Sequence, residues 1–145
     1  MAASSEQVFV VPLSTTPATL HALAVAGEAA RHRRATILAT YVVEVSREYP
    51  VDADLDMESR RGELVLRKAE QIATEGNFSI EADLLQARSA GRAILDEATR
   101  RGASVIVIGV PAADYGSLNL GRTAEYILRK APCEVWLIRE EGAPR

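Results

Sequence analysis

Cysteine is nearly missing from this sequence: the 145 residues contain one, Cys133. An internal disulfide is therefore impossible, and a thiolate zinc site lacks its ligands. Aromatic residues are scarce too, at 5%, with a single tryptophan, Trp136. No apolar run approaches the roughly 18 residues that span a bilayer. The opening MAASSEQ has neither the basic nor the apolar region of a secretory signal. Nor is there an excess of positive charge, since 17 Lys and Arg face 20 Asp and Glu, a net charge of −3. Such a surface is not built to coat DNA or an anionic membrane, so neither nucleic-acid binding nor membrane insertion is expected. The expectation is a cytoplasmic protein. What remains is ordinary for a globular domain, with 48% hydrophobic and 26% charged residues. A chain of this length can bury about 70% of its unfolded surface. We therefore expect one domain over 1–145, with its core at about 8–139 and loose termini.

Apolar runs alternate with helical periodicity. Residues 8–13 (VFVVPL) read as a buried strand. Thr16 is the expected N-cap of a helix with Pro17 at its first position, where the missing N–H has no partner to lose. Leu20, Leu23, Ala24 and Ala30 recur at helical spacing, and the segment closes on Arg31, His32, Arg33 and Arg34. Residues 36–45 (TILATYVVEV) form a second strand. Asp54, Asp56 and Glu58 open a helix that runs to about Glu75, and Gly76-Asn77 stops it. Residues 79–86 alternate as a half-buried strand. Ser89 caps a helix through Arg101, with Ile94, Leu95 and Ala98 inward and Gly102 at its end. Residues 104–108 (SVIVI) are the most apolar strand. A glycine-rich loop, 109–121, leads to a helix at about 122–130 with Ala124, Ile127, Leu128 and Ala131 on one face. Residues 133–139 are the last strand, with Cys133, Val135 and Leu137 on one side and Trp136 and Ile138 on the other.

Strands separated by helices pair in parallel through right-handed crossovers. The fold class is therefore α/β: a three-layer, open, five-stranded, Rossmann-like parallel sheet, with 3-2-1-4-5 as the expected order. In such sheets a ligand sits beyond the carboxyl ends of the strands where the order reverses. Two loops meet there, one at 13–16 and one at 109–121. Free N–H groups at the start of the final helix attract phosphate, and glycines admit it closely. Arg122 adds a planar cation and Thr123 a hydroxyl. No G-x-G-x-x-G follows the first strand, and no Walker motif is present.

The segment GVPAADYGSLNLGRTAEYILRKAPCEVWLIR, with ARSAGRAILDEATRRGASVIVIG before it, resembles the universal stress protein family. The likeness extends over about 8–139 and is greatest to the domains that accompany amino-acid transporters. It implies an adenine nucleotide alpha hydrolase-like fold, a homodimer, and an adenine-nucleotide site for ATP or AMP, with Mg²⁺ only if ATP binds. Nucleotide-binding members carry Gly, two residues, Gly, nine residues, Gly, then Ser or Thr, and an Asp closing the first strand. Here Gly109 matches the first glycine and Ala112 falls on the second. Gly121 stands for the third after eight residues, with Arg122 and then Thr123 following. Leu13 replaces the Asp and offers no acceptor, with Ser14 beside it. Val42 or Val43 would wall the adenine. The family dimerises through its last strand, which implies an interface at Val135, Trp136, Leu137 and Ile138.

Other chemistries are less well provided. His21 and His32 are too far apart on one helix to share a metal, and Cys133 reads as a small buried hydrophobe. Asp52, Asp54, Asp56 and Glu63 mimic a calcium loop, but Met57 stands where glycine is needed and Arg60 and Arg61 lie within it. Ser117 is not in a nucleophile elbow. Three readings follow. The first is a homodimeric sensor of an adenine nucleotide. The second is an interaction module without nucleotide, regulating a transporter or another partner. The third, a slow ATP-hydrolysing enzyme, has only Asp114 to offer as an acidic group in the loop.

Overall fold

The computed structural model describes residues 7–112 and 121–140. The expected loose termini, Asp114 and Ser117 lie outside the described residues. Within them the elements alternate: β1 (Gln7–Leu13), α1 (Pro17–Arg31), β2 (Ala35–Glu44), α2 (Asp56–Gly76), β3 (Ile80–Ala87), α3 (Ala90–Arg101), β4 (Val105–Val110), α4 (Gly121–Lys130) and β5 (Glu134–Arg139). The strands form one parallel sheet in the order β3-β2-β1-β4-β5. This is the order that the βα alternation predicts. β1 is central and pairs Leu13 with Tyr41 on one side and Phe9 with Val105 on the other. No helix among the described residues is long and apolar enough to cross a membrane.

The period of two along each strand divides the core between the two faces. Phe9, Val11 and Leu13 pack with Leu23, Ala26, Ile37, Ala69 and Val107 on the side of α1 and α2. Val10 packs with Leu38, Ile94, Ala98, Ile106, Ile108 and Ile127 on the side of α3 and α4. Fully burying a side chain such as Phe9, Leu23 or Ile106 contributes about 1.5–3 kcal/mol relative to leaving it exposed. Small residues set the helix distances. The Phe78 ring lies against Gly27 of α1 and Gly76 of α2, where any Cβ would strike it. The Tyr126 ring of α4 covers Gly91 of α3 in the same way.

The helix ends follow local chemistry, with three corrections to the expectations. Thr16 holds the N-cap position of α1 in an extended conformation, but its side chain makes no capping bond. The turn is tied by its neighbours: the Ser14 hydroxyl accepts the Thr16 N–H at 3.1 Å, and the Thr19 hydroxyl accepts the Ser14 N–H at 3.0 Å and donates to the Thr16 carbonyl at 3.0 Å. The same helix stops at Arg31 rather than Arg34, with His32 as its C-cap, because the chain must turn into β2 at Ala35. In α4, Ala124 and Ile127 are buried but Leu128 is 41% exposed. Elsewhere the signals hold. Asn77 ends α2 and Gly102 ends α3, both in the left-handed conformation at φ 58° and 62°. Ser89 caps α3 by accepting the Arg92 N–H.

Candidate functional site

A cavity of about 410 Å³ opens at the carboxyl edge of the sheet, where β1 sends the chain toward β2 and β4 sends it toward β5. That is the switch point at which open α/β sheets bind ligands, and the volume lies within the range of small-molecule sites, roughly 300–1,000 Å³. Its floor is apolar, with Leu13 from β1, Val42 from β2, Ile94 from α3, Ile108 from β4 and Ile127 from α4. Its polar groups come from Ser14, Thr16 and Thr19 on one side and from Gly121, Arg122 and Thr123 on the other. Glu44 stands at the end of β2.

Most residues singled out in the sequence come together here. Leu13, Ser14, Val42, Gly109, Gly121, Arg122 and Thr123 all line the cavity. Val43 does not. The pleat points it to the opposite face from Val42, and it is 4% exposed. Ala112 is half-buried just beyond β4 and is not among the lining residues. Leu13 is 6% exposed, so an apolar side chain fills the place where an acceptor would meet a nucleoside.

Gly109 has a role that loop chemistry does not suggest. A Cβ there would collide with the Ala18 carbonyl oxygen and stand 2.7 Å from its carbon and 2.9 Å from Thr19 Cα. The first turn of α1 rests on the backbone of β4 at this point. Gly121 is the flexible residue of the pair, with φ +79° at the start of α4. Arg122 follows it, with a side chain 95% exposed and a guanidinium 3.9 Å from a Glu44 oxygen. That distance is too long for a hydrogen bond.

Glu44, Thr19, Ala90, Ile94, Pro111 and Ile127 line the cavity without having been singled out. Glu44 is the most informative of them. Its Oε2 accepts the Ala90 N–H at 2.8 Å, so it caps α3 from a strand 46 residues earlier. The connection after β2 is pinned as well. Arg88 donates to the Ser46 and Tyr49 carbonyls at 2.5 and 2.7 Å, and Gln86 donates to those of Val51 and Ala53 at 2.9 and 3.0 Å.

The remaining candidates lie elsewhere. Asp56 pairs with Arg60 at 3.0 Å in the first turn of α2. Among the described residues, no three His, Cys, Asp or Glu side chains gather as a metal site would require. His21 is exposed on α1, and His32 closes that helix. Cys133 packs beside the α3 and α4 core. Burial pushes its thiol up, with the Glu134 carboxylate adding to the effect, which keeps it protonated and unreactive. In β5, Val135 and Leu137 pack toward α3 and α4, and Trp136 and Ile138 toward α1. Trp136 meets Phe9 edge to face at 5.4 Å, and the Arg33 guanidinium lies 5.3 Å from its ring. All four β5 residues remain partly exposed on the edge strand.

The sequence pattern of the universal stress protein family matches residues 7–139. The chain belongs to the universal stress protein family. It is 28% identical to universal stress protein A homolog 2 of Coxiella burnetii over 95 residues, 66% of this chain and 65% of that one. The match therefore spans just under two thirds of this curated relative. Among solved structures, UspA of Lactobacillus plantarum superposes with a TM-score of 0.76 at 24% identity, covering 94% of this chain and all (100%) of that one. The universal stress protein of Archaeoglobus fulgidus in complex with dAMP gives 0.73 at 20% identity, covering 92% and 98%. These two likenesses establish the shared fold.

Proposed function

We propose that this universal stress domain binds an adenine mononucleotide in the switch-point cavity and acts as a homodimeric sensor of it. The observation that carries the reading is the cavity's composition. An apolar floor of Val42, Ile94 and Ile108 suits a purine face, while the start of α4, with Arg122 and Thr123, suits a phosphate. The binding of dAMP by the Archaeoglobus protein of the same fold supports the choice of ligand class. ATP belongs to the same class, and any Mg²⁺ would enter only with its extra phosphates. A single free thiol suits a reducing compartment, and the reading places the domain in the cytoplasm.

The second reading is favoured by Leu13, which removes an acceptor from the nucleoside side of the cavity. On that reading the domain is an interaction module beside an amino-acid transporter, as the resemblance of its late segment implies. Thermal unfolding with AMP, dAMP, cyclic AMP and ATP separates the two. A ligand at about a hundred times its Kd stabilises the fold by about 2.7 kcal/mol. For a domain of this size that raises Tm by about 5–10 °C. We expect such a rise with AMP. No rise with any of the four nucleotides would leave the interaction module.

The homodimer is proposed through β5. It pairs only with β4 among the described strands, and an apolar edge is a template for a second chain. Sedimentation of Trp136→Glu tests it. The variant is expected to sediment as a monomer with native far-UV dichroism. A folded variant that remains a dimer would place the interface elsewhere.

A further inference from the structure

The two edges of the sheet differ. β3 carries Glu81 and Asp83 along its length, charges of the kind that discourage further pairing. β5 sets Val135, Trp136, Leu137 and Ile138 between Glu134 and Arg139, and all four apolar residues are only partly buried. Its ladder with β4 runs without a bulge from Glu134 to Arg139. Just past that end the Glu140 N–H donates to the Val110 carbonyl at 2.8 Å. In a regular parallel strand successive residues turn their N–H and C=O groups to opposite sides. Glu134, Trp136, Ile138 and Glu140 therefore turn theirs to β4, and those of Val135, Leu137 and Arg139 point away from the sheet.

We propose that two copies of this chain join their β5 strands antiparallel, about a two-fold axis that places the two Trp136 residues opposite each other. This rests on the homodimer reading above. A two-fold axis that brings one edge strand to its own copy makes the strands antiparallel. Bonds form only between outward groups, so Val135, Leu137 and Arg139 must face one another, and the axis passes at a residue and its copy. Centred on Leu137, the pairing sets Glu134 against the partner's Glu140 twice, like charges directly opposed. Centred on Val135, it carries Leu137 and Ile138 past the start of the partner's β5, to Cys133 and Pro132. Centred on Ile138, it sets Trp136 against the partner's Glu140. Centred on Trp136, it opposes no like charges, and Val135 meets the partner's Leu137 in bonded pairs on the α3 and α4 side. The Trp136 residues then form a non-bonded pair, the kind in which side chains approach most closely. Each indole is already held within its own protomer. Phe9 lies edge to face with it, the Arg33 guanidinium is 5.3 Å from its ring, and its Nε1–H donates to Glu134. Little ordering of the ring is left for association to impose.

Disulfide cross-linking in a Cys133→Ser background reads the register. Directly opposed Cα atoms lie about 4.5–5.5 Å apart, within reach of a disulfide, whereas diagonal neighbours at about 7–8 Å lie beyond it. Under mild oxidation Trp136→Cys is expected to give a covalent dimer. Val135→Cys and Leu137→Cys, refolded as a mixture, are expected to give one where neither does alone. The mixture keeps Trp136, so it decides the matter if Trp136→Cys does not fold or associate. A covalent dimer from Val135→Cys, Leu137→Cys or Ile138→Cys alone would overturn the register while leaving β5 as the interface. Failure of all of these to cross-link, or a wild-type protein that sediments as a monomer, would instead remove the β5 homodimer, and this inference with it.

Discussion

Gly109→Ala is expected to destabilise the domain by about 2–3 kcal/mol, because a methyl group there overpacks a contact between two backbones. The obstacle is the Ala18 carbonyl and Thr19 Cα, not the far end of a side chain that could step aside. Relief requires α1 to lift from β4. That movement would also pull Thr19 away from Ser14 and spoil the first wall of the cavity. Urea denaturation measures the effect as a lower midpoint at an unchanged slope. Gly102, whose Cβ would meet open space, is the control for side-chain crowding, although its φ of +62° carries a conformational cost of its own. A Gly109→Ala protein of native stability would show that the glycine serves only a ligand and that the helix contact tolerates a methyl.

Arg122→Ala is the counterpart for binding. Losing a charge-assisted hydrogen bond to phosphate is expected to weaken AMP affinity about ten- to a hundredfold. Stability should not move, since the side chain is 95% exposed and its approach to Glu44 is a loose surface pair. Arg122→Lys should recover part of the loss, because it retains the charge without the planar fork. Calorimetry gives the affinities and thermal unfolding the stability. Unchanged affinity in the alanine variant would remove Arg122 from the phosphate end and leave the amides of α4 to hold it.

The scaffold was legible because β1 and β4 are nearly continuous apolar runs, β3 alternates, and α2 and α3 are closed by residues that accept the left-handed conformation, Asn77 and Gly102. The switch point followed from that alternation, and with it Leu13, Ser14 and Gly121 to Thr123. The parts that escaped depend on distances no linear pattern carries. Val42 and Val43 are equivalent apolar neighbours until the pleat assigns one to the cavity and the other to the opposite core. Ser14, Thr15 and Thr16 offer three hydroxyls for a cap, and it is Ser14, accepting the Thr16 N–H, together with Thr19 that ties the turn. Gly109 looks like a loop glycine and is a packing glycine, because α1 crosses β4 where only the fold brings them together. Glu44 gains its place from Ala90, far along the chain. One signal was available for it: an acidic side chain at the very end of a buried strand, on the edge where ligands gather.

The stitches made by Arg88 and Gln86 bear on how a ligand would be admitted. Five of the carbonyls between β2 and α2 are tied to Gln86 and Arg88 at and just beyond the end of β3, so the rim beside Glu44 is built before any ligand arrives. Little conformational entropy remains to be lost on that side, and affinity there reflects contact rather than ordering. The amides of Val45, Tyr49 and Ala53, which themselves donate to backbone carbonyls, should accordingly exchange more slowly than their neighbours in the absence of ligand and change little on its arrival.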